Sequence, residues 1–392
     1  MTQGGNEAAG GAASSETSVP VAAESSAFAP FRHRAFRWLW IGVLISWTGT
    51  WMQTVGAQWL LVDAPNAAVL VSLVQAATTL PVMLLALPGG VLADTFDRRW
   101  LLFTIQVYFF IVGILLAVLT AAGQMPPALL IAFTFLLGVG TAVQLPTWAS
   151  TIPDLVPRSE LRAASRLDLV SVNVSRAIGP AIAGFVIAHL GGASVVFALN
   201  AVSVVFLAIA LLAWRRVNPE LASRERFVPA LRAGARYVWH EPVIRRIMLR
   251  AILFVIPAMA LWALLPLIAS EHLGQGADGF GLLFAALGTG AVLGALVLRR
   301  LTTVSTNGIL LAATVLYAAT MAIIIMIPSF AAALATLVLN GLAWMAITST
   351  LQAEMQLVLP AWVRARGMAI YVVIFMASQT TGALVWGLVA NR

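Results

Sequence analysis

Gly90-Val91-Leu92-Ala93-Asp94-Thr95-Phe96-Asp97-Arg98-Arg99 is a short charged loop set between two apolar stretches. It decides how the rest of the chain is read. The flanking stretches, 68–92 and 100–122, each meet the length needed to cross a bilayer, about 20 mostly apolar residues. A weaker echo of the loop, Arg299-Arg300, follows about 200 residues later.

Outward from this loop the same alternation continues. Eleven spans are expected, near 38–62, 68–92, 100–122, 127–150, 167–190, 193–214, 247–270, 279–298, 307–327, 329–352 and 368–390. Hydrophobic residues make up 61% and charged residues 10% of the chain, against roughly 45–50% and 25% in soluble domains. That much apolar surface needs a lipid solvent. The ten-residue alternation of a membrane β-barrel is absent, so the fold class is an all-α polytopic membrane protein.

The charges set the topology. All 23 basic residues are arginine. With the N-terminus inside, 21 of them fall in inside segments or at their edges, and the outside loops hold none. Such asymmetry follows the positive-inside rule. It also accounts for the net charge of +8 without nucleic acid as a partner; the expected surroundings are a lipid bilayer, specifically a bacterial inner membrane. Residues 1–30, rich in Ala, Gly and Ser, read as a disordered cytosolic tail. The connection 215–246 is basic and divides a six-helix half, 31–214, from a second half, 247–392.

The halves match at an offset near 201, as expected for two parallel repeats. The partner of the sixth span would fall near 394–415, past Arg392, so the second half is expected to lack its last helix, either because the sequence is truncated, the favoured reading, or because the protein has eleven spans.

Four stretches carry a family resemblance: Phe36-Arg37-Trp38-Leu39-Trp40, the loop around Asp94, Arg176-Ala177-Ile178-Gly179-Pro180-Ala181-Ile182-Ala183-Gly184, and Leu359 through Ala369. Together they resemble the major facilitator superfamily, and within it the bacterial drug and siderophore exporters, the branch that includes the enterobactin exporter. Thr95 and Asp97 depart from that superfamily's loop pattern, and the fourth span lacks the arginine of many proton-coupled members. The resemblance implies alternating access and export, with Asp94 capping the eleventh span near Gly367 when the inner side closes. A carboxylate is favoured at that positive helix end. Arg98 or Arg99 would pair with Asp154, and Glu354, Arg364 and Arg366 are the corresponding charges of the second half. Positive-inside anchoring is the plainer reading of all of these.

Arg176 lies about ten residues into the fifth span. An ionisable group at that depth is a functional candidate by default; it either meets an anionic substrate or locks two helices. Gly179-Pro180 would bend the same helix. The amides Gln53, Gln144, Asn173, Asn340 and Gln379, with Trp51, Trp262 and Trp344, suit a cavity for an amphipathic ligand; the alternative is hydrogen bonding between helices.

No nucleotide-binding Gly-rich loop, cysteine, spaced histidine cluster or nucleophile–base pair occurs, so no cofactor, metal or enzymatic activity is expected. A proton is the expected coupling ion. Its possible carriers, Asp63, Asp168, Glu271 and Glu354, all lie near span ends. The reading is secondary export of small amphipathic molecules. Uptake by the same fold, or a membrane fragment without transport of its own, are the alternatives.

Overall fold

The computed structural model describes residues 26–215, 236–301, 303–360 and 363–392. The tail up to residue 25, most of the 215–246 connection, and Ala361 and Trp362 lie outside the described residues. Among the described residues eleven long helices follow one another: α1 (Arg34–Trp59), α2 (Ala67–Thr95), α3 (Arg98–Ala121), α4 (Pro127–Thr151), α5 (Leu161–His189), α6 (Ala193–Ala213), α7 (Pro242–Leu267), α8 (Ala277–Leu298), α9 (Thr306–Met326), α10 (Phe330–Val358) and α11 (Arg364–Ala390). No strand occurs among the described residues.

Each expected span corresponds to one helix, but several helices run past the apolar stretch. α5 begins at Leu161 and α10 reaches Val358. Apolarity marks the hydrocarbon thickness, whereas helical hydrogen bonding continues into the interface, where Arg162 and Arg166 extend α5. Ten of the helices are apolar enough to count as spans by length and composition alone. The exception is α1. It carries Thr48, Thr50, Gln53, Thr54 and Gln58, and buries Gln53 and Gln58 inside the bundle instead of showing them to lipid.

Local chemistry sets the ends. Asp97 caps α3, its carboxylate accepting from the backbone N–H of Arg99 (2.9 Å) and Trp100 (3.2 Å). That is the usual work of an N-cap aspartate, and it gives a physical reason for an acid at this loop position. Between α5 and α6 the chain turns on Gly191 and Gly192, both at positive φ (113° and 82°), a conformation glycine adopts without steric cost.

The pairings repeat. α2 packs on α4 as α8 packs on α10, α1 on α5 as α7 on α11, and α3 on α4 as α9 on α10. The two groups, α1–α6 and α7–α11, meet mainly along α2–α11 and α5–α8. Thr79 and Thr380 hydrogen-bond across the first seam at 2.8 Å. Glycines make the second: a Cβ on Gly288 would strike the backbone of Arg176 and Ala177, and one on Gly184 the backbone of Ala277 and Gly281.

Candidate functional site

The charged residues read from the sequence gather at one end of the bundle. Arg98 donates to the Ser150 carbonyl at 2.7 Å and faces the Asp154 carboxylate at 3.4 Å, joining α3 to the turn after α4. Arg99 donates to the carbonyls of Leu211 and Leu212, each at 2.8 Å, and so pairs with the negative end of α6 instead of with Asp154. Arg364 donates to the Leu359 carbonyl at 3.2 Å, and Arg250 stands 4.0 Å from Glu354. Asp94 is exposed and has no partner among the described residues. Among the described residues it makes no hydrogen bond to the first turn of α11, whose N-cap position is Val363.

The amides divide. Gln53 accepts from Asn200, linking α1 to α6, and Asn340 donates to Thr320 at 2.8 Å, linking α10 to α9. Asn173 donates to the Leu169 carbonyl of its own helix at 2.8 Å. Gln144 is buried on α4 and Gln379 half-buried on α11. Gly179 lets α5 press against Trp51 and the Thr48 carbonyl, and the Pro180 carbonyl faces Gly281 across the seam.

Arg176 stands apart from the other charges. It is half-buried at mid-span, its Nε enclosed and without a hydrogen-bond partner, and its guanidinium lies over the Trp51 ring, 5.1 Å from the centroid. No ion pair holds it among the described residues. From Trp51 a line of rings crosses into the second half: Trp51 to Phe284 (5.8 Å), Phe284 to Trp262 (5.5 Å), Trp262 to Trp344 (5.3 Å) and Trp344 to Phe375 (6.3 Å). The three tryptophans noted in the sequence therefore belong to one cluster. Phe284, Phe375 and Tyr317, which completes its flank, were not legible as members, because only the register of packed helices brings α1, α7, α8, α9, α10 and α11 to the same depth.

A further carboxylate of interest is Asp168 on α5. It accepts from the Trp148 indole of α4 at 2.7 Å, near the arginine-bearing end.

Comparison with known proteins agrees with this architecture. The chain is 26% identical to the staphyloferrin A transporter of Staphylococcus aureus over 255 residues, 64% of each protein. It is 29% identical to the enterobactin exporter EntS of Shigella boydii over 229 residues, 57% of this chain and 53% of that one. The matched region thus spans between half and two thirds of the length of these relatives. Among solved structures, the fold resembles a bacterial homologue of the human lysosomal transporter Spinster (TM-score 0.74, 15% identity, covering 92% of this chain and 82% of that one). It also resembles the D-xylose–proton symporter (TM-score 0.70, 14% identity, covering 91% and 90%). With its multi-pass helical fold, its paired halves and a match over residues 25–392 to the family described as transmembrane secretion effector, the chain belongs to that family of the major facilitator superfamily.

Proposed function

We propose that this membrane protein is a secondary active transporter that exports small amphipathic, drug- or siderophore-like molecules across the bacterial inner membrane, driven by the proton gradient. The observation that carries this reading is the division into two helix groups joined along two seams, one bridged by hydroxyls and the other made of glycine backbone contacts. Such seams suit two halves that rock about a central site. The names of the relatives support siderophore-like substrates and the outward direction. The arginine-bearing end faces the cytoplasm by the positive-inside rule, with the N-terminus on that side.

At that end Asp94, Arg98, Arg99, Asp154, Glu354 and Arg364 serve as the gate. Asp168, held by Trp148 beside it, exchanges the coupling proton. Accumulation of a candidate substrate in intact cells, with and without an uncoupler, tests the reading. Export predicts low accumulation that rises when the gradient collapses; accumulation that falls instead assigns uptake and overturns the proposed direction. A flat response in cells that hold the folded protein removes gradient-driven transport.

A further inference from the structure

Among the described residues Arg176 is the one charge at mid-span, and the structure offers it no counter-ion. A guanidinium at that depth is costly unless something pairs with it. What the protein supplies is the π-face of Trp51, an attraction that leaves the N–H groups of the guanidinium free to donate. Trp51 itself has an enclosed indole N–H without an acceptor. Two neighbouring side chains thus present donors and no acceptor. The acids of α5, α8 and α10 (Asp168, Asp278 and Glu354) sit toward helix ends, away from this level.

Position adds to the chemistry. The Arg176 backbone lies at the α5–α8 seam against Gly288, and Trp51 packs on Phe284 of α8, so the donor pair sits where the two halves touch. A ligand held there is in contact with both.

Resting on the reading of the protein as a transporter, we infer that its substrate is an anion with an aromatic or otherwise flat face: its carboxylate or comparable oxygens accept from Arg176 and the Trp51 N–H, and its flat face lies along the ring cluster. A cationic amphiphile would meet an unshielded positive charge in a medium of low dielectric and is excluded. Arg176 then supplies specificity through charge, and the substrate serves as its counter-ion.

The test uses three probes of one shape and different charge, tritiated naphthoate, naphthamide and naphthyltrimethylammonium. Each is bound to the purified full chain in lipid nanodiscs and read by scintillation proximity. The expected result is a preference for naphthoate of about tenfold or more over the other two, the scale of a charge-assisted hydrogen bond. Arg176→Gln erases the preference, Arg176→Lys keeps most of it, and Trp51→Phe, which retains the ring face and loses the donor, weakens naphthoate alone.

Equal binding of the three probes, no binding of naphthoate, or a preference that survives Arg176→Gln overturns the inference. If Arg176→Gln does not yield folded protein, the charge-retaining Arg176→Lys and Trp51→Phe decide in the same way. Proteoliposome flux separates this from the broader reading. Arg176-dependent anion binding without flux defeats transport and leaves the site standing, whereas flux of the cation defeats the site and leaves transport standing.

Discussion

The two halves are built on the same pairings yet hold their middles differently. In the first half the buried apolar residues fall into two clusters, one around Phe36, Leu102 and Leu207 and one around Val71, Leu116 and Phe197. Between them lies a polar layer in which Gln53 meets Asn200, with Gln106 and Ser203 also buried. In the second half a single cluster runs through, with Trp262, Phe284 and Trp344 at its centre, and reaches across to Met52 and Val55 of α1, Ala183 and Val186 of α5 and Val196 of α6.

Lipid gives no hydrophobic drive for helices to associate, so register must come from close fit or from polar pairs. The first half uses small residues and amides: Gly42, Gly49 and Gly56 let α1 approach Leu207, Ser203 and Phe197 of α6. The second half uses ring against ring, and Gly290 and Gly341 where α8 and α10 cross. In the first half α6 packs against both α1 and α3, and the outer faces of α7 and α9 carry exposed leucine and valine. There Leu249, Leu253, Leu311 and Val315 are exposed, and no glycine lines the α7 face.

The halves differ most in consequence at the charged loop. Asp94 has no acidic counterpart at the offset of the repeat, where Ala295 stands. Asp94→Asn is expected to abolish export while the protein stays folded in the membrane, read by flux and by size-exclusion of a fluorescent fusion; wild-type flux would remove the gating role. Next comes the ring cluster. Trp344→Ala deletes a side chain that touches Phe254, Trp262, Tyr317 and Phe375 and should cost about 3–5 kcal/mol, the scale of a large aromatic removed from a core. A thermal midpoint unchanged by it would show that rings do not register the second half.

A smaller effect, about 0.6 to 1.7 kcal/mol, is expected from Gln53→Leu, since it breaks one interhelical hydrogen bond. Asn340→Leu should match it, as Asn340 makes the same kind of bond to Thr320; a much larger loss in one half would sharpen the contrast. Least of all should come from Glu354→Gln. Its partner Arg250 is about half exposed and 4.0 Å away, so the change in stability should stay below about 0.5 kcal/mol.

The helices were legible because a bilayer imposes one length and one solvent on each. The apolar run 193–214 and α6 (Ala193–Ala213) differ by a residue. Arginine marked one set of connections in the sequence, and the charges of several of them, Arg98, Arg99 and Arg364 among them, hold helix ends in the structure. The site was legible only in its parts. Arg176 stood out as a charge within an apolar run, but its neighbour Trp51 is 125 positions away in sequence, and nothing local predicts that approach. Gln53 illustrates the same limit, since an amide looks alike whether it faces a ligand or, as here, Asn200. Arg99 reads as one of a pair of like charges, yet it holds the end of α6 while Arg98 faces Asp154.

The glycine crossing of α5 and α8 has a mechanical consequence. With no side chain between the two backbones at Gly288, the contact acts as a bearing near the middle of α5. The 15 steps of helical rise from Leu161 to Arg176 form a lever arm of roughly 22 Å at about 1.5 Å per residue. A tilt of about 10° at the bearing would sweep the arginine-bearing tip of that arm through roughly 4 Å, more than a water diameter, while the backbones at the bearing itself barely part. Under the proposed alternating access, opening at the end of the helix would be geared to a movement at its centre too small to break the packing there.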